Sequence, residues 1–292
     1  MTATTSQQPP LRASWRAWWN FERQRNSGGG PVARIGQLVR RSDVLRELVV
    51  RQLKASYGGS FLGYAWTLFT PLSLIAVYWL VFGRVARFNL QHYPLFIAAG
   101  MMPWVFFNSV INSSMGALRS NSGIVRTINM PREIFPLSVV GEAGVEYVLS
   151  LPIVFLFGLA YGVLPDHYLP VLLLSIVLET ILLVGLSLLL SSISTLVQDT
   201  SRIVRPILRV LFYLSPILYP VSKVHGTLLM LYKMNPLVGI VELNRLVWYP
   251  HYLVSASAIF QHAAISGGVS ILLLVVGWAA FMRLEPAALK EL

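Results

Sequence analysis

Six stretches of this chain are long and apolar enough to cross a lipid bilayer, and that pattern limits the possible folds more than any other feature. A helix needs roughly 20 mostly apolar residues to span the hydrocarbon. The stretches are Phe61 to Phe82, Pro94 to Ser114, Ile134 to Leu164, Tyr168 to Val197, Ile203 to Tyr219 and Ala263 to Met282. The fifth differs from the others in carrying Arg205 and Arg209 inside it. Only 12% of the 292 residues are charged and 55% are hydrophobic, too little polar surface to coat a soluble globule of this size. A transmembrane β-barrel would need alternating segments of about 10 residues. No such alternation occurs, and the expected fold is an all-α membrane protein with six transmembrane helices.

The distribution of Lys and Arg orients those spans. The segment before the first span, the bridge after the second, the join between the fourth and fifth, and the C-terminus together hold 18 of the 23 basic residues. The other side has Arg84, Arg87, Lys223, Lys233 and Arg245. The positive-inside rule therefore places both termini in the cytoplasm. The net charge of +11 is this asymmetry, and it argues for anionic headgroups rather than nucleic acid. Residues 1–31 contain Gln-Pro-Pro and Gly-Gly-Gly-Pro runs and read as a mobile cytoplasmic tail without the apolar core of a signal peptide. Residues 32–57 read as an amphipathic helix or helix pair lying in the interface. Leu45, Leu48, Val49, Leu53 and Tyr57 recur at helical spacing, while Arg41, Arg46, Arg51 and Lys54 gather on other faces. Residues 58–292 form the membrane domain.

Several functions are excluded by residues that are missing. Cysteine is absent, which removes disulfides and thiol chemistry. No Gly-Lys-Ser or Gly-Lys-Thr occurs, so this chain has no P-loop for ATP. Asp43, Asp166 and Asp199 stand alone and the histidines lack ligand spacing, so neither a metal site nor the acidic pair of a membrane glycosyl- or phosphotransferase is expected. Arg202, Arg205 and Arg209 recur at the spacing of a voltage sensor, but no Thr-Val-Gly-Tyr-Gly filter lies between spans five and six.

Charges within the spans need partners or water. Glu142 and Glu146 lie one turn apart on the third span and Glu179 lies on the fourth. An ionised group at mid-bilayer costs about 2.5–3.5 kcal/mol on insertion scales. Pairing of Glu142 or Glu146 with the three arginines is one expectation, and snorkelling of the arginines to the headgroups is the other. Aromatic side chains are frequent in the spans. Some belong to the interfacial belts, while Trp66, Tyr78, Tyr147 and Tyr213 are candidates to line a path on which sugar rings could stack.

The run from Arg51 to Pro71, with Tyr57, Ser60, Leu62, Gly63 and Trp66, resembles the start of the membrane subunit of ABC-2 type polysaccharide exporters, the permeases for O-antigen, capsule, teichoic acid and cell-wall galactan. Four further stretches share the resemblance: Met130 to Pro136, Val197 to Arg202, Leu214 to Pro220 and Asn235 to Arg245. Together they cover the chain from about residue 40 onward. The resemblance implies a homodimer in the bacterial inner membrane, served by two copies of a separate ATPase that uses ATP and Mg, with no cofactor bound by this chain. It implies that the bridge Leu118 to Pro136 is a coupling helix carrying Arg126, Met130, Pro131, Arg132 and Glu133 to that ATPase. It also implies re-entrant outer helices between spans five and six, with a gate at Asn235, Pro236, Arg245, Trp248 and Tyr249. The expected cargo is a polyprenyl-diphosphate-linked glycan, its diphosphate met by Arg46, Arg51, Lys54, Arg202 and Arg205, because guanidinium and ammonium groups suit phosphate oxygens. A drug or lipid exporter of the same superfamily is the alternative.

Overall fold

The computed structural model describes residues 31–58, 63–87, 90–127, 130–163, 168–226, 229, 232, 234–249 and 255–292. Most of the expected mobile tail, together with Ser60, Leu62 and Asp166, lies outside them. Every regular element among the described residues is helical. The expected interfacial segment is a helix pair, α1 (Pro31–Arg40) and α2 (Ser42–Tyr57), interrupted at Arg41. Leu48 and Leu53 of α2 are buried, and Val49 lies against Gly141, so part of its apolar stripe packs on protein.

Five helices are long and apolar enough to cross a membrane by length and composition. The first is α3 (Ala65–Tyr78) continued by a π-helical turn, Trp79–Val85. The others are α4 (Tyr93–Ser114), α6 (Ile134–Ala160), α7 (Leu169–Leu196) and α10 (Ala256–Glu291). Between α4 and α6 lie a 3₁₀ turn, Arg119–Asn121, and the short helix α5 (Ser122–Thr127).

The expected span Ile203 to Tyr219 is not among the five. Its residues form α8 (Thr200–Tyr213), 14 residues long, which then breaks into turns up to Pro220. At 1.5 Å per residue such a helix covers about 21 Å, short of the roughly 30 Å hydrocarbon. It is strongly amphipathic, with Arg202, Arg205 and Arg209 among Ile203, Ile207, Leu208 and Val210. The segment that follows leads to α9 (Pro236–Trp248).

Close backbone approaches hold the bundle together. In a membrane, helices associate by packing rather than by escape from water, and small residues let their backbones meet. A Cβ on Gly185 of α7 would lie 2.6 Å from the Leu273 backbone of α10, and one on Gly277 of α10 would lie 2.0 Å from the Gly185 carbonyl oxygen. Likewise Gly239 brings α9 onto the backbone of His262 in α10, where a Cβ would meet the carbonyl at 2.5 Å. The span α4 is the most enclosed of the five and α3 the least. The core therefore centres on α4 and α9, with α3 at the periphery.

Candidate functional site

Three helices wall a groove of about 360 Å³. From α4, Met101, Trp104, Asn108 and Asn112 recur every three or four residues and so share one face. From α8, Arg205, Leu208, Arg209, Phe212 and Tyr213 do the same, and α3 adds Leu74 and Tyr78 one turn apart. The rings form a continuous cluster around Phe212. Its centroid is 5.4 Å from Tyr78, 5.2 Å from Trp104 and 5.2 Å from Tyr213. These separations are typical of edge and offset ring pairs. Asn112 Nδ2 donates to the carbonyl oxygen of Asn108 at 2.8 Å, which fixes the amide pair on one wall.

Arg205 and Arg209 both line this groove and are exposed, and among the described residues no carboxylate forms an ion pair with either. The pairing considered with Glu142 or Glu146 does not occur. Glu142 accepts a hydrogen bond from Ser56 Oγ at 3.0 Å, and Glu146 accepts one from the Tyr57 hydroxyl at 2.5 Å. These bonds fasten the end of α2 to α6. Burial and then the Glu146 carboxylate push the Tyr57 hydroxyl up to about 12, so it stays a donor at any physiological pH.

The structure separates the aromatic residues selected from the sequence into two places. Tyr78 and Tyr213 are in the groove, whereas Trp66 and Tyr147 line a smaller cavity of about 190 Å³ with Tyr57 and Glu146. The cations expected to hold a diphosphate are also dispersed. Arg205 is on the groove, but Arg202 pairs with Asp199 at 2.9 Å in the exposed first turn of α8. Arg51 donates from Nη2 to Oδ1 of Asn121 at 2.6 Å and so ties α2 to the bridge, while Arg46 and Lys54 are exposed on α2.

The bridge is less outward than its charge suggests. Met130 and Glu133 are buried, and Pro131 and Arg132 are half-buried. Arg132 Nη1 meets Glu285 of α10 at 3.5 Å. Arg126 is exposed at the end of α5, and Arg119 donates to the Thr195 carbonyl oxygen at 2.9 Å. A partner touching this face would read Arg126 first.

The expected outer gate residues point into the protein. Asn235 caps α9, its side chain accepting from the Leu237 amide at 3.0 Å and donating to Ser215 Oγ at 2.9 Å, with Pro236 at the first helical position. Trp248 and Tyr249 are buried, and the Tyr249 hydroxyl donates to the Gln91 carbonyl oxygen. Arg245 is fully buried, with its guanidinium 3.6 Å from the Phe96 ring centroid. Its Nη2 donates to the Ile217 carbonyl oxygen at 2.6 Å and its Nε to that of Phe96 at 3.3 Å. Gly100 makes room for it, since a Cβ there would lie 2.5 Å from Nη2.

Sequence reasoning missed Phe212, Asn108 and Asn112 as wall residues and did not give Arg209 a binding role. The signal was present on α8, where Arg209 and Phe212 share the face of Arg205, whereas no residue of α4 was selected that could point to Asn108 and Asn112.

Comparison with known proteins agrees with this architecture. The profile of the ABC-2 type transporter family matches residues 44–249. The O-antigen export system permease protein RfbA of Myxococcus xanthus is 30% identical over 248 residues, covering 84% of this chain and 93% of the relative. The protein of the same name from Klebsiella pneumoniae is 27% identical over 247 residues, covering 83% and 92%. The polysialic acid transport protein KpsM of Escherichia coli is 24% identical over 267 residues, covering 89% of this chain and 100% of its own.

Proposed function

The chain belongs to the ABC-2 type transporter family, and from that premise we propose that it is the membrane-spanning subunit of a polysaccharide exporter whose path includes the groove between α3, α4 and α8. The observation that carries the reading is the composition of that groove, a wall of contacting rings beside two arginines that no carboxylate among the described residues neutralises. Sugar rings present C–H faces that pack on aromatic side chains, and a phosphate requires guanidinium or ammonium donors. The relatives are named for O-antigen export and polysialic acid transport, both polysaccharide cargoes.

With the termini in the cytoplasm, α8 begins near the inner surface and runs inward from it. Arg205 then lies on the cytoplasmic side and Tyr213 about 12 Å deeper along the helix. A lipid-linked glycan entering from the cytoplasm meets the cations with its diphosphate and the rings with its sugars, while the polyprenyl tail remains among the lipids. The groove is open on its outer side, where Tyr213 is 58% exposed. A second copy facing it would close the passage, in keeping with a homodimer in the inner membrane. Energy comes from two copies of an ATPase on another chain, which binds the ATP and Mg, and the Arg126 face of the bridge is its docking point. An uncharged drug would leave the two arginines beside the rings unused, and the relatives named for polysaccharide cargoes favour a glycan over a lipid.

The test is a strain depleted of this protein and complemented with Arg205→Glu/Arg209→Glu. Lipid-linked glycan should accumulate inside the cells, and surface glycan should fall at least tenfold, with the variant present in the membrane at wild-type level. Normal surface glycan without accumulation would overturn the assignment.

A further inference from the structure

The smaller cavity, lined by the first turns of α3 where the groove is lined by its later turns, has the opposite electrostatic character from the groove. Its walls come from the end of α2, the first turns of α3, and the facing sides of α4 and α6. Four rings contribute, those of Tyr57, Trp66, Phe106 and Tyr147, and the Phe106 and Tyr147 centroids are 5.3 Å apart. Thr67 and Thr70 add hydroxyls. Among the described residues lining it, Glu146 alone is charged, whereas the groove has two arginines and no acid.

A carboxylate within a span is costly, and a hydroxyl hydrogen bond from Tyr57 compensates only one of its oxygens. An anion would be repelled here. A neutral sugar would find rings and hydroxyls but would leave the charge unanswered. A cation supplies both needs, because ammonium groups bind over aromatic faces and pair with carboxylates. At about 190 Å³ the cavity holds roughly six waters at 30 Å³ each, enough for a small amine or a single amino-sugar ring but not for a polymer segment. Trp66 is 43% exposed at its rim, leaving lateral access to the cavity. Lys54, exposed and three residues before Tyr57 on α2, offers a cation for a phosphate next to such an amine.

From these features we infer that this cavity is a second binding site, separate from the groove and independent of its assignment, that takes a primary ammonium group. Two carriers share that chemistry: the ethanolamine headgroup of a phospholipid and an amino sugar. The site is built to distinguish the charged amine from its acylated, neutral form.

The experiment uses the full chain in detergent, examined by native mass spectrometry with two matched ligand pairs. One pair is phosphatidylethanolamine against its N-acetyl derivative with identical tails, and the other is glucosamine against N-acetylglucosamine. Expected is at least fivefold preferential retention of the amine in one pair, lost in Glu146→Gln and weakened in Trp66→Ala. A preference in the first pair identifies the carrier as lipid, and one in the second as sugar. Equal retention within both pairs by the wild-type chain, or a preference that survives Glu146→Gln in a variant with wild-type melting temperature, overturns the site.

Discussion

At the scale of single residues, Arg245 shows how a charge can be structural in a membrane protein. Its guanidinium is wholly enclosed, yet two carbonyl oxygens and the face of Phe96 surround it. Those contacts join α9, α4 and the turn after α8. Hydrogen bonds to a charged group contribute about 1.5–3 kcal/mol each, and breaking them leaves buried carbonyls unpaired. Arg245→Met should therefore lower the melting temperature of the purified protein by several degrees. Gly100→Ala should do the same, because its new methyl needs the space of Nη2. The two sites touch, so in combination they should fall short of the sum of the single effects by about 1 kcal/mol or more. Strict additivity in thermal melts would mean that Gly100 and Arg245 do not form one unit. From the sequence, Arg245 reads as an outer gate residue, a role that the family resemblance implies. Its burial depends on acceptors 28 and 149 residues away in the chain, which no local pattern reveals.

At the scale of elements, the long spans and the helix pair before them were legible, while the amphipathic α8 was misread as a span. α4, α6 and α7 are apolar over so many residues that averaged hydropathy finds them within a few positions, whereas α10 (Ala256–Glu291) extends well past both ends of the expected Ala263 to Met282. α8 keeps its arginines to a stripe among apolar residues, and the expected span from Ile203 to Tyr219 ran through Arg205 and Arg209 rather than stopping at them. The arginine spacing of three and four was the available signal, and it marks a helix with one wet face rather than a lipid-crossing one. The bridge presents a related problem, since its charge suggests a free lever while Met130 and Glu133 are packed inside and Arg132 is held by Glu285. The exposed end of α5 remains available to a partner. Arg126→Glu should cut copurification with the ATPase at least fivefold and leave the melting temperature within about a degree of wild type. Met130→Ala should instead lower the melting temperature first, as a buried methionine truncated to alanine costs about 2–5 kcal/mol in well-packed cores. A variant at Arg126 with full ATPase recovery would remove this surface from the coupling route.

At the scale of the whole molecule, one face of α3 serves two cavities of opposite charge, its first turns lining one and its later turns the other, and it is the least enclosed of the five spans. Leu74 and Tyr213 stand on the open rim of the groove, 38% and 58% exposed. In a monomer they would face lipid. In a homodimer with the groove at its centre, they would face the second copy, and the rings would line a closed passage. The chain has no cysteine, so a single introduced thiol reports on one position only. Leu74→Cys and Tyr213→Cys, each oxidised in native membranes, should give a disulfide-linked dimer on non-reducing gels. Leu173→Cys on α7, 66% exposed on a different helix, should remain monomeric under the same oxidant. A dimer band at position 173 with none at 74 or 213 would put the subunit contact on α7 and leave the groove open to lipid. The path would then be bounded by one chain and the bilayer, and the two arginines would serve a lipid headgroup rather than a translocating diphosphate.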